Sequence, residues 1–219
     1  MGAIAFSAIS CTTTEPPSQA KDRLCEISEG SAEEALLHRT LAARSYDTEW
    51  LHRDRDFSER MQDMLRHSST PSTPRVESCG FAPRDQQSNA RDVVIHFSWT
   101  PRVDPSKHPR LKERTYYELG NSFGESSDAF TELRTPCTIP GDLRTKSEER
   151  FLHAKATYSA DLDAAPDTTM RNEQVSFLYL MARRATNALG CEGNPLKADP
   201  VAKPIATSSH TSAPEGTKR

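Results

Sequence analysis

The sequence predicts a mainly α protein: a small helical core, long irregular or disordered segments, and one β-strand near 92–99 that is isolated or weakly paired. Three observations predict it. The 16 Leu, 6 Ile, 6 Val and 8 Phe make 36 of 219 residues, about 16 %, below the ~20 % that marks chains short of core-forming side chains. At about 25 cal/mol per Å² of buried apolar area, so few large groups are set against an ordering cost of ~1 to 2 kcal/mol per residue. Helical spacing of apolar residues, with capping signals, occurs at 31–66 and 172–190. Between them, Pro, Ser and Thr gather without period.

Residues 1–30 hold TTTEPPSQ and scattered acids, which reads as a disordered arm. A helical segment is expected over 31–66. Ser31 followed by Glu34 fits a capping box, and Leu36, Ala42, Tyr46, Trp50, Phe57, Met61 and Met64 fall in one arc of a helical wheel. Asp47-Thr48 is a second N-cap signal at which that helix can break. Residues 67–90, opening HSSTPSTPR, read as a linker.

The remaining core, 91–190, is expected to be a loosely packed α-rich region with one strand. In DVVIHFSW, Val93, Ile95, Phe97 and Trp99 alternate with Val94, His96 and Ser98, a strand pattern with one wholly apolar face. Its weak candidate partner is 114–119, although Pro109 and Gly120 favour a short helix there. Ser127 to Leu133 is expected to form a turn or two of helix. Thr145 and Glu148 offer another capping box, opening a helix through Phe151, Leu152, Ala156 and Tyr158 that Pro166 ends. In the last helix, Asn172 caps the start, Val175, Leu178, Ala182, Ala185 and Leu189 keep helical spacing, and Gly190 stops it. Residues 191–219 read as a disordered tail.

Chemistry is harder to find. His52-Arg53-Asp54 has the letters of a phosphotransferase catalytic loop, but Glu59 stands where a metal-binding Asn is needed. The chain also lacks a Gly-rich phosphate loop and an Asp-Phe-Gly. The triplet therefore reads as a charged helix face, with Glu49–Arg53 and Arg55–Glu59 as i,i+4 pairs. His52 and Asp56 share a helical face, but Arg53 and Arg55 crowd it and no third ligand is evident. No nucleophile elbow or dinucleotide fingerprint occurs. Catalytic residues, cofactors and metals are accordingly expected to be none.

Cys11, Cys25, Cys79, Cys137 and Cys191 are odd in number and widely spaced, which resembles neither a disulfide framework nor a zinc knuckle. That points to an intracellular compartment, cytoplasmic or nuclear. MGAIAFSAISC lacks a basic start, and no apolar run reaches the ~18 residues of a membrane span. A net charge of -3 and a pI near 6.2 exclude whole-chain attraction to nucleic acid or anionic lipid.

Locally, Arg102, Lys107, Arg110, Lys112 and Arg114, with Tyr116 and Tyr117 beside them, are candidate nucleic-acid contacts, since cations grip phosphates and rings stack on bases. Ser69, Thr70 and Thr73 in the linker are candidate phosphorylation sites. The reading is a non-enzymatic, partly disordered interaction or regulatory protein, regulated by phosphorylation of its linker, with a protein partner whose kind the residues do not specify and no membrane. The alternative is a nucleic-acid-binding accessory protein using 99–117, and a further alternative is a poorly optimised sequence with no selected biochemical activity.

Overall fold

The structure, a computed structural model, describes residues 24–49, 57–84, 90–103, 111, 113–159, 168–197, 199–200 and 202–205. The elements are α1 (Ala32–Leu41), β1 (Tyr46–Glu49), α2 (Phe57–His67), β2 (Val76–Pro83), β3 (Val93–Pro101), β4 (Thr115–Leu119), β5 (Ser122–Ser126), β6 (Phe130–Pro136), α3 (Arg144–Glu148), β7 (Arg150–Tyr158), α4 (Thr168–Leu189) and β8 (Lys203–Pro204). All eight strands join one sheet in the order β1-β2-β3-β7-β6-β5-β4-β8, and each described pairing is antiparallel. The expectation of a mainly α chain with one weakly paired strand is thus overturned.

The predicted strand is real, but it is the opposite of isolated. β3 lies between β2 and β7, and its Val93, Ile95, Phe97 and Trp99 are fully buried. β2 lies within the stretch read as a linker. Its apolar alternation is hidden by a bulge between Glu77 and Cys79, which shifts the inward positions from Val76 to Cys79 and Phe81. β7 occupies the stretch read as a helix. Leu152, Ala154, Ala156 and Tyr158 point inward, while His153, Lys155 and Thr157 alternate with them. Small alanines on the inward face blunt that alternation, and the capping signal opens only the five-residue α3.

β5 and β6 are the most thoroughly disguised. Their inward positions are Ser122, Gly124, Ser126, Thr131, Leu133 and Thr135. Ser122 donates to Thr135 across the strands at 2.6 Å, and Ser126 lies 2.9 Å from Thr131. Burial here is compatible with hydroxyls because each has a cross-strand partner. Gly124 is required by close approach: a Cβ there would stand 3.0 Å from the Glu132 carbonyl. Gly120, at φ +65, opens the two-residue turn joining β4 to β5, which makes 115–119 a strand rather than the expected helix.

The helices gather on one face of the sheet. α4 packs on β5, β6 and β7, α1 and α2 contact α4, and α2 contacts α3. Ser31 caps α1 as expected, its hydroxyl accepting from the Glu34 amide at 3.1 Å. α1 ends at Leu41, and the stretch around Asp47-Thr48 becomes edge strand β1 instead of helix. α4 starts earlier than its expected cap, so Asn172 lies inside it and accepts from the Tyr117 hydroxyl. Its end is as expected. Gly190 takes φ +70, and the Cys191 amide reaches back to the Thr186 carbonyl. Trp99 fills the space under α2 and donates its indole N–H to the Met61 carbonyl at 2.9 Å.

Two disulfides brace the layers, Cys25–Cys79 and Cys137–Cys191, each spanning 54 residues of chain. Spacing rules detect local pairs, and these are brought together only by the fold. Cys11 lies outside the described residues, as do residues 1–23 of the expected arm and 206–219 of the expected tail. Within the segments expected to be disordered, Leu24, Cys25 and Leu196 are buried and β8 adds to the sheet. Among the described residues, no helix is long and apolar enough to cross a membrane.

Candidate functional site: the outer face of the sheet

Strand alternation sends one set of side chains under the helices and the other to the opposite, outer face. Register then lines up rows across strands. Glu77, His96, Lys155, Glu132 and Glu125 form one row from β2 to β5, and Ser98, His153, Arg134 and Phe123 form the next from β3 to β5. Long side chains in adjacent rows lie over one another, which is why charged groups on this face are largely shielded.

Glu132 is the hub. Its Oε1 accepts from Lys155 Nζ at 2.7 Å, and its Oε2 lies 3.3 Å from His153 Nε2 and 3.4 Å from Arg134 Nη2. Burial by itself would raise this carboxyl. His153 and Lys155 at its oxygens outweigh that and hold it well below the usual carboxylate range. Arg114 pairs with Glu125 at 2.7 Å. His96 is also lowered, chiefly by burial, with Arg75 and Lys155 adding to the fall and Glu77 opposing it.

Aromatic rings on this face are covered by cations. Lys155 Nζ and Arg114 Cζ stand 4.2 and 4.8 Å from the centre of the Phe130 ring. Arg134 stands 5.7 Å over Phe123 and Arg102 5.3 Å over Phe151, while the two rings meet edge to face at 5.1 Å. Three buried polar atoms here have no hydrogen-bond partner: His96 Nδ1, Thr100 Oγ1 and His153 Nε2. The last faces Glu132 without hydrogen-bond alignment.

One alignment invites a catalytic reading. Ser98 Oγ lies 3.3 Å from His153 Nδ1, and His153 in turn faces Glu132, which gives the order hydroxyl, imidazole, carboxylate. Ser98 is only 4 % exposed. It sits on β3 opposite His153 in the β7 ladder, and the next amide, that of Trp99, donates to the Thr73 hydroxyl rather than standing free for an oxyanion hole. Among the described residues, no group of three or more His, Cys, Asp or Glu could hold a metal ion.

The expected nucleic-acid contacts divide. Arg102 is exposed, Arg114 is half-buried, and both lie over outer-face rings. Their rings, Phe151 and Phe130, are six residues apart along β7 by register, or about 20 Å at strand rise. Tyr117 faces the helices and is fully buried, and the Tyr116 hydroxyl accepts from the Leu111 amide. Lys107, Arg110 and Lys112 lie outside the described residues, as do His52-Arg53-Asp54 and Asp56. Of the expected phosphorylation sites, Ser69 and Thr70 are exposed. Thr73 is buried, its hydroxyl accepting from the Trp99 amide.

Sequence reasoning missed Glu132, Arg134, His153 and Lys155. Strand alternation in FTELRTP and RFLHAKATY was the signal that could have found them. No family model, curated protein or solved structure matches the chain.

Proposed function

We propose that this is a non-enzymatic interaction protein whose outer sheet face docks a protein partner. The observation that carries the reading is charge balance in an ordered surface. Arg102, Arg114, Arg134 and Lys155 stand against Glu77, Glu125 and Glu132, interleaved rather than segregated. A polyanion crossing this face would meet carboxylates on β2, β6 and β5, whereas a protein surface carrying both signs can align with it. Side chains already held by ion pairs and ring contacts also lose little entropy on docking.

The catalytic alternative requires Ser98 to act as a nucleophile, and its burial argues against substrate access. The nucleic-acid alternative requires its cations and rings to act together. The distance between Arg102 and Arg114 and the inward Tyr117 argue against that. Phosphorylation at Ser69 or Thr70 would place a dianion beside the Arg150 contact to the Thr70 carbonyl, a control point at the sheet's end. The two disulfides favour an oxidising compartment over the intracellular one that cysteine spacing implied.

Site-specific photo-crosslinking tests the reading, with the crosslinker at exposed Thr157 on the outer face or, as a control, at exposed Glu59 on α2. The expected result is one discrete protein adduct from position 157 alone, lost with Arg134→Glu. Equal adducts from both positions, or none, would overturn it. A nuclease-sensitive adduct would promote the nucleic-acid alternative, and Ser98-dependent turnover of an activated acyl ester would promote the enzyme.

A further inference from the structure

Beyond α4 the chain turns back as a strap. Its start is tied to β6's end by Cys137–Cys191, Leu196 is fully buried, and β8 pairs with β4, where the Ile205 amide also bonds the Tyr116 carbonyl. Strap, β4–β5 turn and α4 border an open cleft of about 560 Å³, within the ~300 to 1,000 Å³ range of small-molecule sites. The site is held by a disulfide and a buried leucine, so its walls are preorganised.

Its lining differs from the outer face in one respect. Glu118, Asp199, Lys197 and Lys203 line the cleft, and among the described residues none of them makes an ion pair or side-chain hydrogen bond; nor does Asn121. Glu118 and Lys203 are register partners across β4 and β8 and still do not pair. On the outer face, by contrast, Glu132 alone draws Arg134, Lys155 and His153 to its oxygens. Buried Tyr179 also lines it. Burial raises its hydroxyl pKa, Arg183 opposes the rise and Asp199 adds to it.

Two uncommitted carboxylates and two uncommitted ammonium groups around one small space complement a ligand that carries both charges. We infer that this cleft binds a small zwitterion of the free amino acid or dipeptide class, its ammonium held by Glu118 and Asp199 and its carboxylate by Lys197 and Lys203, with Tyr179 in the lining. The site is separate from the outer face and stands or falls independently of it.

Saturation-transfer NMR and calorimetry with glycyl-tyrosine test the inference, alongside its N-acetyl and C-amide derivatives. Saturable binding is expected for the zwitterion, weakened at least about tenfold by capping either end, since each cap leaves a wall charge unpaired. Glu118→Ala and Lys203→Ala should each weaken it comparably, and both sites are exposed, so the variants should fold as the parent does by near-UV circular dichroism. Arg134→Glu on the outer face should leave binding unchanged. No saturable binding, equal binding of the capped forms, or parental affinity in the folded Glu118 and Lys203 variants would each overturn the proposal.

Discussion

The inner face of the sheet is built in two different ways. Under β2, β3 and β7 it is apolar: Val76, Phe81, Val93, Ile95, Phe97, Trp99 and Leu152 are all buried. Under β5 and β6 it is largely hydroxylic, with Ser122 bonded to Thr135, and Ser126 to both Thr131 and Gln174. The same helix, α4, reaches both regions. The first holds by area removed from water, which tolerates imprecise geometry. The second holds only while each hydroxyl keeps its partner, because an orphaned buried polar group costs more than the bond contributes. A chain poor in bulky apolar residues can therefore complete a broad sheet by pairing small polar groups inside it.

The largest expected effect lies in the apolar half. Trp99→Ala removes a fully buried ring and its indole bond to the Met61 carbonyl, which should cost about 3 to 5 kcal/mol in chemical denaturation. A loss below about 1 kcal/mol would mean this half is not the stability centre.

The disulfides sharpen the contrast because they close loops of equal length, 54 residues apart. Chain entropy alone assigns each about 4 kcal/mol. Cys25→Ala/Cys79→Ala and Cys137→Ala/Cys191→Ala should thus destabilise similarly. A clear inequality would reveal native strain or residual unfolded structure on one side.

In the hydroxylic half, Thr135→Val should cost about 1 to 3 kcal/mol by stranding the Ser122 hydroxyl. The double variant Ser122→Ala/Thr135→Val should recover most of that loss. If single and double variants cost the same, the pair is not acting as a unit.

The smallest effects are pH-dependent. Glu132 is held below the usual carboxylate range, so its stabilisation is full above the unfolded carboxylate pKa of about 4.3 and is lost as pH falls toward its folded value. His96 is lowered too. Its neutral form is favoured in the fold, so stability declines as pH drops below its unfolded value of about 6.5. Tyr117, pushed up to about 12 chiefly by burial, contributes stability present below pH 10 and lost as pH rises toward 12. Denaturation midpoints against pH should show the acid slope shrink in Glu132→Gln and the alkaline slope shrink in Tyr117→Phe.

Legibility followed the same divide. β3, α1's cap and α4's glycine stop could be read directly, because each is a local pattern with a local cause. β5 and β6 could not. Alternation is visible only when inward residues are more apolar than outward ones, and Phe123 and Phe130 point outward while Ser122, Ser126 and Thr131 point inward. β7 fell between, its alternating Leu152, Ala154 and Ala156 also compatible with a helix. At the outer face, Arg102 and Arg114 were anticipated, but the Glu132 hub was not. It gathers side chains from β6 and β7, whose adjacency follows from register rather than spacing.

What the sequence determined by itself was the supply of materials: few large apolar groups, balanced charge, one strongly β-patterned run and two capped helices. Strand order, the two disulfides, the hydroxyl pairs and the sites on either side of β4 were decided only by tertiary structure. The physical reason is that their energies come from groups far apart in the chain, and a hydroxyl or a carboxylate reads as solvent-facing until its partner is brought beside it.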